Sequence, residues 1–180
     1  MGATCWTYTT PYDPDAELAL QKLREQVFET GDYLKPGEIP RIPKDRGPLP
    51  PMPMGFWLLL FALRAISAVS VAARWLARGG RGHRTIHELL QDAAEDGTHS
   101  ILDIHHTADI PCLGYATPLS KQRLLKCFGT MTPTSQQVTE ARALLEEVTS
   151  DVRRWEAVYL TVHDESGRPL QFMFIGASGD

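Results

Sequence analysis

Five of the nine histidines and cysteines, His99, His105, His106, Cys112 and Cys127, lie between His99 and Cys127, with Asp103 among them. Imidazoles and thiolates suit zinc, but a site needs a spacing that turns them toward one point. His105 and His106 are consecutive, so an extended chain sends them to opposite faces, and neither HExxH nor paired CxxC occurs. No metal is expected. Asp103 and His105 stand two residues apart, and on a strand they share a face, where a carboxylate can orient or charge an imidazole. That is half of an acid-base mechanism. Cys112 or a serine could complete it, yet no GxSxG elbow is present. Gly79-Gly80-Arg81-Gly82 lacks the GxxxxGK pattern of a phosphate loop, so no nucleotide cofactor is expected. Binding is therefore expected before catalysis, with a small hydrolase or isomerase using Asp103 and His105 as the alternative.

Recognition chemistry gathers elsewhere. Trp6, Tyr8, Tyr12 and Tyr33 surround the first expected strand and helix, and such rings offer large contact areas with a polar handle. The competing reading makes Trp6 and Tyr8, two apart on one strand face, core residues. Arg64 sits in a strongly apolar stretch, where a buried guanidinium needs an anion: an internal carboxylate such as Asp103, or a ligand's carboxylate. The candidate ligand-binding residues are thus Trp6, Tyr8, Tyr12, Tyr33, Arg64, Asp103 and His105.

The elements that must position these groups can be read from pattern. Cys5 to Thr9 is rich in aromatic and β-branched residues and predicts a strand. Asp13 as N-cap, Pro14 as first residue, the apolar residues Leu18, Leu20, Leu23, Val27 and Phe28 at near-helical spacing, and Gly31 as terminator predict a helix over 14–30. Seven prolines between residues 35 and 55 predict an extended loop. Residues 56–78 then read as a nearly all-apolar helix, interrupted by Arg64, Ser67, Ser70, Arg74 and Arg78 on one face. A buried or interface helix is expected there, with membrane association as the alternative. Thr85 and Glu88 form a capping box before a helix that Gly97 closes. Ser100–His106 reads as a strand, Leu119–Phe128 as a helix ended by Gly129, and 133–151 as one longer helix. Val158, Leu160 and Val162, then Leu170, Phe172 and Phe174, alternate on either side of a Ser166-Gly167 turn, predicting a closing β-hairpin.

These elements predict an α+β fold: a small mixed or antiparallel sheet with helices packed on it, ending in the hairpin. The 180 residues suit a single domain, 1–180, with the loop 35–55 and helix 56–78 as an internal elaboration. A net charge of -4 argues against nucleic acid as partner. Three cysteines without CxxC spacing suit a reducing cytoplasm, and the N-terminus lacks the basic and apolar regions of a signal peptide.

Trp6-x-Tyr8, Pro11-Tyr12 and Ala19-Leu20-x-x-Leu23-Arg24-x-x-x-Phe28-x-x-Gly31-x-Tyr33 resemble the N-terminal signature of a family of small bacterial proteins. Asp96-Gly97-Thr98-x-Ser100-Ile101-Leu102-Asp103-Ile104 and Gly167-x-Pro169 to Phe174-x-Gly176 resemble its middle and end; residues 36–80 fall outside the resemblance. Relatives in ribosomal-peptide natural-product clusters of the crocagin type imply a non-catalytic accessory protein that binds a precursor's leader or core. A peptide would add as a strand to a sheet edge, anchored near Trp6, Tyr8 and Arg64. The Phe56–Leu76 helix is expected to form a homodimer. A self-associating or immunity-type interaction protein is the third reading.

Overall fold

The computed structural model describes residues 4–34, 83–93 and 97–178. Strand β1 (Thr4–Pro11) turns Trp6 and Thr10 inward and leaves Cys5, Thr7 and Thr9 exposed, as a period of two requires. Helix α1 (Ala16–Thr30) follows. Its N-cap is Asp15, whose carboxylate accepts the N–H groups of Glu17 and Leu18 at 2.9 and 3.3 Å. The cap expected at Asp13 is corrected: Asp13 accepts from the Asp15 N–H and from Lys22, shaping the turn before the helix. Gly31 ends α1 in the left-handed conformation, with φ 71°.

The chain divides by its contacts into two units, Met1–Tyr33 with Glu95–Asp180, and Leu34–Ala94. In the second, the structure describes helix α2 (Ile86–Asp92), capped by the Thr85 side chain on the Glu88 N–H. Glu88 reaches back to the Arg84 N–H at 2.8 Å, one residue before the cap, and α2 spans Ile86–Asp92 with Ala93 as C-cap. The expected loop 35–55, the expected helix 56–78 and Arg64 lie outside the described residues.

In the first unit the predicted strand Ser100–His106 is a correction. The chain forms a 3-10 turn at Ile101–Asp103, followed by the two-residue strand β2 (His106–Thr107). The cause is local: the Ser100 hydroxyl accepts the Leu102 N–H, and Asp103 accepts the Thr98 N–H, so side chains take bonds a ladder would have used. Strand β3 (Tyr115–Pro118) and helix α3 (Lys121–Phe128) come next, α3 capped by Ser120 and ended by Gly129 at φ 67°. The single helix expected over 133–151 is two, α4 (Ser135–Glu140) and α5 (Arg142–Val148), separated at Ala141. Ala141 and Leu145 keep their bonds to the carbonyls four residues back, so the interruption is one residue wide and has no Gly or Pro to announce it.

Strands β4 (Glu156–His163) and β5 (Pro169–Ser178) form the C-terminal hairpin. Asp164 organises its turn by accepting the N–H groups of Ser166 and Arg168 and the Ser166 hydroxyl, and these bonds pull its carboxyl down to a pKa of about 2. The sheet order is β1-β5-β4-β3-β2, antiparallel across β1-β5-β4 and parallel across β4-β3-β2. This is the expected small α+β fold with helices on a mixed sheet. Val158, Leu160, Val162 and Ile175 face Leu119, Cys127, Val138 and Leu145 from the segment carrying α3 to α5. The opposite face carries Trp6, Tyr8, Tyr159, Phe172 and Phe174, with α1 packed against β1 and the 3-10 turn against β5.

Candidate functional site

Most of the rings and charges that the sequence marks for recognition are consumed by the α1 side of the sheet. Trp6 is 8% exposed, donates its indole N–H to the Ser178 hydroxyl at 3.0 Å and lies over Gly176, where a Cβ would come within 2.1 Å of the ring. Tyr8 donates its hydroxyl to the Asp32 carbonyl, and burial followed by the nearby Asp32 raises its pKa. Tyr33 stacks on Phe28, with centroids 6.1 Å apart.

Asp103 and His105 do not form the expected pair. Asp103 is 2% exposed and accepts from the Thr98 N–H at 2.8 Å and the Thr98 hydroxyl at 2.9 Å, inside a loop that Trp155 closes over Gly97. Burial raises its pKa against these bonds, and its second oxygen is buried with no hydrogen-bond partner. His105 is exposed, its ring lying over Gly114; partial burial, then Arg24 and His106, lower its pKa. The shared strand face disappears because Asp103 belongs to the 3-10 turn.

A buried guanidinium does stand beside this loop, from Arg24, which the sequence reading passed over. Arg24 is 8% exposed and donates to the Leu102 and His105 carbonyls and to Gln21. Burial lowers its pKa against the pull of Glu17 and Asp103. Glu17 accepts from the Thr107 N–H and hydroxyl, and Gln21 donates to the His105 carbonyl. Spaced by four and three residues, Glu17, Gln21 and Arg24 fall on one helical face and clamp residues 102–107. The spacing was readable; the face's target was not. This cluster organises the fold.

The opposite edge of β4 is built differently. Tyr159 offers its carbonyl to the Leu119 N–H at 2.7 Å, where β3 ends, and His163 donates its N–H to the Pro133 carbonyl at 2.8 Å. Backbone groups alternate direction along a strand, so those of Thr161 point to the same side as those of Tyr159 and His163. Between Leu119 and Pro133 no strand lies beside them, and among the described residues neither the Thr161 N–H nor its carbonyl has a hydrogen-bond partner. A cleft of about 320 Å³ opens at this gap, lined by Tyr12, Leu119, Leu124, Met131, Tyr159, Thr161 and His163, with Pro118, Leu160 and Pro169. None of these lining side chains is a carboxylate, lysine or arginine.

The polar chemistry the cleft presents is backbone. Thr161 supplies one backbone donor and one acceptor. His163 is 9% exposed, and its Nδ1 is buried without a hydrogen-bond partner. Tyr12 and Tyr159 both pack on Phe172, with centroids at 5.1 and 5.7 Å, giving an aromatic wall. Burial, then Asp109, raises the Tyr159 pKa, so its hydroxyl stays a donor at neutral pH. Of the candidates named from sequence, Tyr12 lines this cleft; Thr161 and His163 carried no signal, since an interrupted ladder is a property of pairing.

No protein-family model matches the chain, and neither do curated proteins or solved structures. Among the described residues no group of three or more His, Cys, Asp or Glu could hold a metal, and no helix is long and apolar enough to cross a membrane.

Proposed function

We propose that this chain is a non-catalytic peptide-binding protein of the cytoplasm, and that the peptide seats at the Thr161 edge of β4. One observation carries the reading: a strand interior that leaves its N–H and carbonyl unpaired in an aromatic and aliphatic cleft. Peptide backbone is the ligand class that meets one donor and one acceptor at strand spacing, while the apolar walls hold a side chain. The mode is the strand pairing expected from sequence, moved from β1 and Arg64 to β4. A precursor peptide served to modifying enzymes is the class suggested by the sequence resemblance. The three unpaired cysteines, Cys5, Cys112 and Cys127, agree with a reducing compartment. Self-association through residues 56–76 is a separate proposal; light scattering at high micromolar concentration should give a dimer, and a monomer would remove it.

Amide exchange on the isotopically labelled protein tests the site. Peptides selected from a displayed random library should slow exchange at Thr161 and shift the resonances of Tyr12 and Met131. Shifts confined to Thr7 and Thr9 would move the peptide to β1 and discard the β4 reading.

A further inference from the structure

We infer that β1 is a self-pairing edge: a second copy of this chain docks its own β1 there, antiparallel, with the two-fold axis at Thr7. The two edges of the sheet are finished differently. At the β2 edge the strand is two residues long and α1 covers it, Glu17 taking the Thr107 N–H and Gln21 the His105 carbonyl. β1 is eight residues long, has no charged side chain and keeps an unbroken register with β5 from Thr4 to Pro11. Among the described residues no strand lies beyond it. Edges that must stay single are usually short, charged or bulged, and β1 is none of these.

The register follows from which backbone groups face outward. The Tyr12 N–H donates to the Leu170 carbonyl at 3.0 Å, so Tyr12 and, in step with it, Thr10, Tyr8 and Trp6 turn their backbone groups to β5. Alternation turns those of Cys5, Thr7 and Thr9 to the open edge, and the side chains of the same three residues are exposed. An antiparallel copy with Thr7 opposite Thr7 sets Cys5 opposite Thr9 and Thr9 opposite Cys5. Every outward residue then meets an outward residue, and each pair exchanges two hydrogen bonds. Sliding the copy by two residues one way sets Cys5 against Pro11, which has no N–H, and the other way runs Thr9 past the start of β1. A slide of one residue sets outward groups against residues whose groups face β5, so only the Thr7-centred register uses the whole edge. Threonine beside threonine across the axis, with no charge to repel, suits that register. The interface is isologous, as a two-fold pair requires. It is one strand wide, below the about 800 Å² per partner of a standard interface, so the dimer dissociates on dilution. β5 separates β1 from β4, and the pairing leaves the β4 cleft open.

Charge exchange at the axis tests it, because a residue on a two-fold axis meets itself. Thr7→Lys and Thr7→Glu each set like charges opposite one another, and analytical ultracentrifugation at low salt should show each variant dimerising at least tenfold more weakly than wild type. An equimolar mixture of the two should recover the wild-type dimer affinity to within about twofold, since Lys then faces Glu. In the wild type, amide exchange at Cys5, Thr7 and Thr9 should slow as concentration rises, while exchange at Trp6, Tyr8 and Thr10 stays constant. Far-UV circular dichroism checks that both variants are folded; if either is not, the wild-type exchange pattern decides. A wild-type monomer at high micromolar concentration overturns the inference, together with self-association through residues 56–76. A dimer that both variants keep overturns the β1 pairing alone and leaves the 56–76 contact standing. Variants that stay monomeric when mixed, or protection of Cys5, Thr7 and Thr9 that dilution does not relieve, also overturn it.

Discussion

The α1 side of the sheet and the β4 edge use polar and aromatic groups in opposite ways. Beneath α1, a tryptophan, a tyrosine, an arginine and an aspartate are tied to backbone and hydroxyl partners, and two glycines, Gly97 and Gly176, give up side chains so that Trp155 and Trp6 can close over them. At the β4 edge the lining is mostly aliphatic and aromatic, and what stands open is backbone. Residue type alone therefore misplaces the site. Side chains rich in recognition chemistry also make the strongest internal bonds, and a fold consumes them first.

If that contrast is right, damage beneath α1 should appear as lost stability, and damage at β4 as lost binding. The largest effect is expected from Trp6→Ala, which removes a buried ring and its bond to Ser178; truncating a buried aromatic costs about 3–5 kcal/mol. Denaturant unfolding measures it, with peptide affinity of the folded fraction unchanged. A variant that keeps its midpoint and loses binding would return Trp6 to the ligand site and dissolve the contrast.

Arg24→Met comes next. It keeps an apolar stem but removes the donor to the Leu102 carbonyl, and stranding a buried acceptor costs about 1–3 kcal/mol, while the His105 carbonyl keeps its bond from Gln21. A loss of about 1–3 kcal/mol is expected by the same measurement. A loss below about 0.5 kcal/mol would mean that the clamp on residues 102–107 is held by Glu17 and Gln21 alone.

Thr161→Pro should behave in the reverse manner. Proline deletes an N–H that has no ladder partner, so stability should fall by about 1 kcal/mol or less, far below the usual cost of a strand-interior proline. Binding of a selected peptide should weaken at least tenfold, a change of about 1.4 kcal/mol or more. Titration calorimetry paired with melting separates the two quantities, and a large loss of stability with unchanged affinity would show the edge to be paired after all.

The subtlest test is a pH trend at Asp103. Because burial raises its folded pKa, its contribution to stability is full below the ordinary aspartate range near about 3.9 and is lost as pH rises through the raised folded value. Asp103→Asn retains an oxygen for Thr98 and cannot ionise, so the stability difference should move in the variant's favour as pH rises through that window. Melting curves across the acid range check the sign. A difference that is flat with pH would mean that Asp103 is not held in the environment described.

Sequence pattern alone determined those elements whose signals are local. The Gly31 and Gly129 terminators, the Ser166-Gly167 turn and the alternation of Val158, Leu160 and Val162 each act over a few residues, and together they specify an α+β fold with a closing hairpin. Where a local side-chain bond competed with the backbone ladder, at Ser100 and Asp103, periodicity misled, and the acid-base pair drawn on that strand fell with it. Tertiary structure decided the rest: that Trp6 lies over Gly176, that Glu17, Gln21 and Arg24 meet residues 102–107, and that β4 outruns β3 by the length that leaves Thr161 unpaired. A hydrogen bond that goes unmade has no residue of its own in the sequence. It exists because two strands of different length are brought side by side, and pairing between distant segments is set by the packing of the whole sheet.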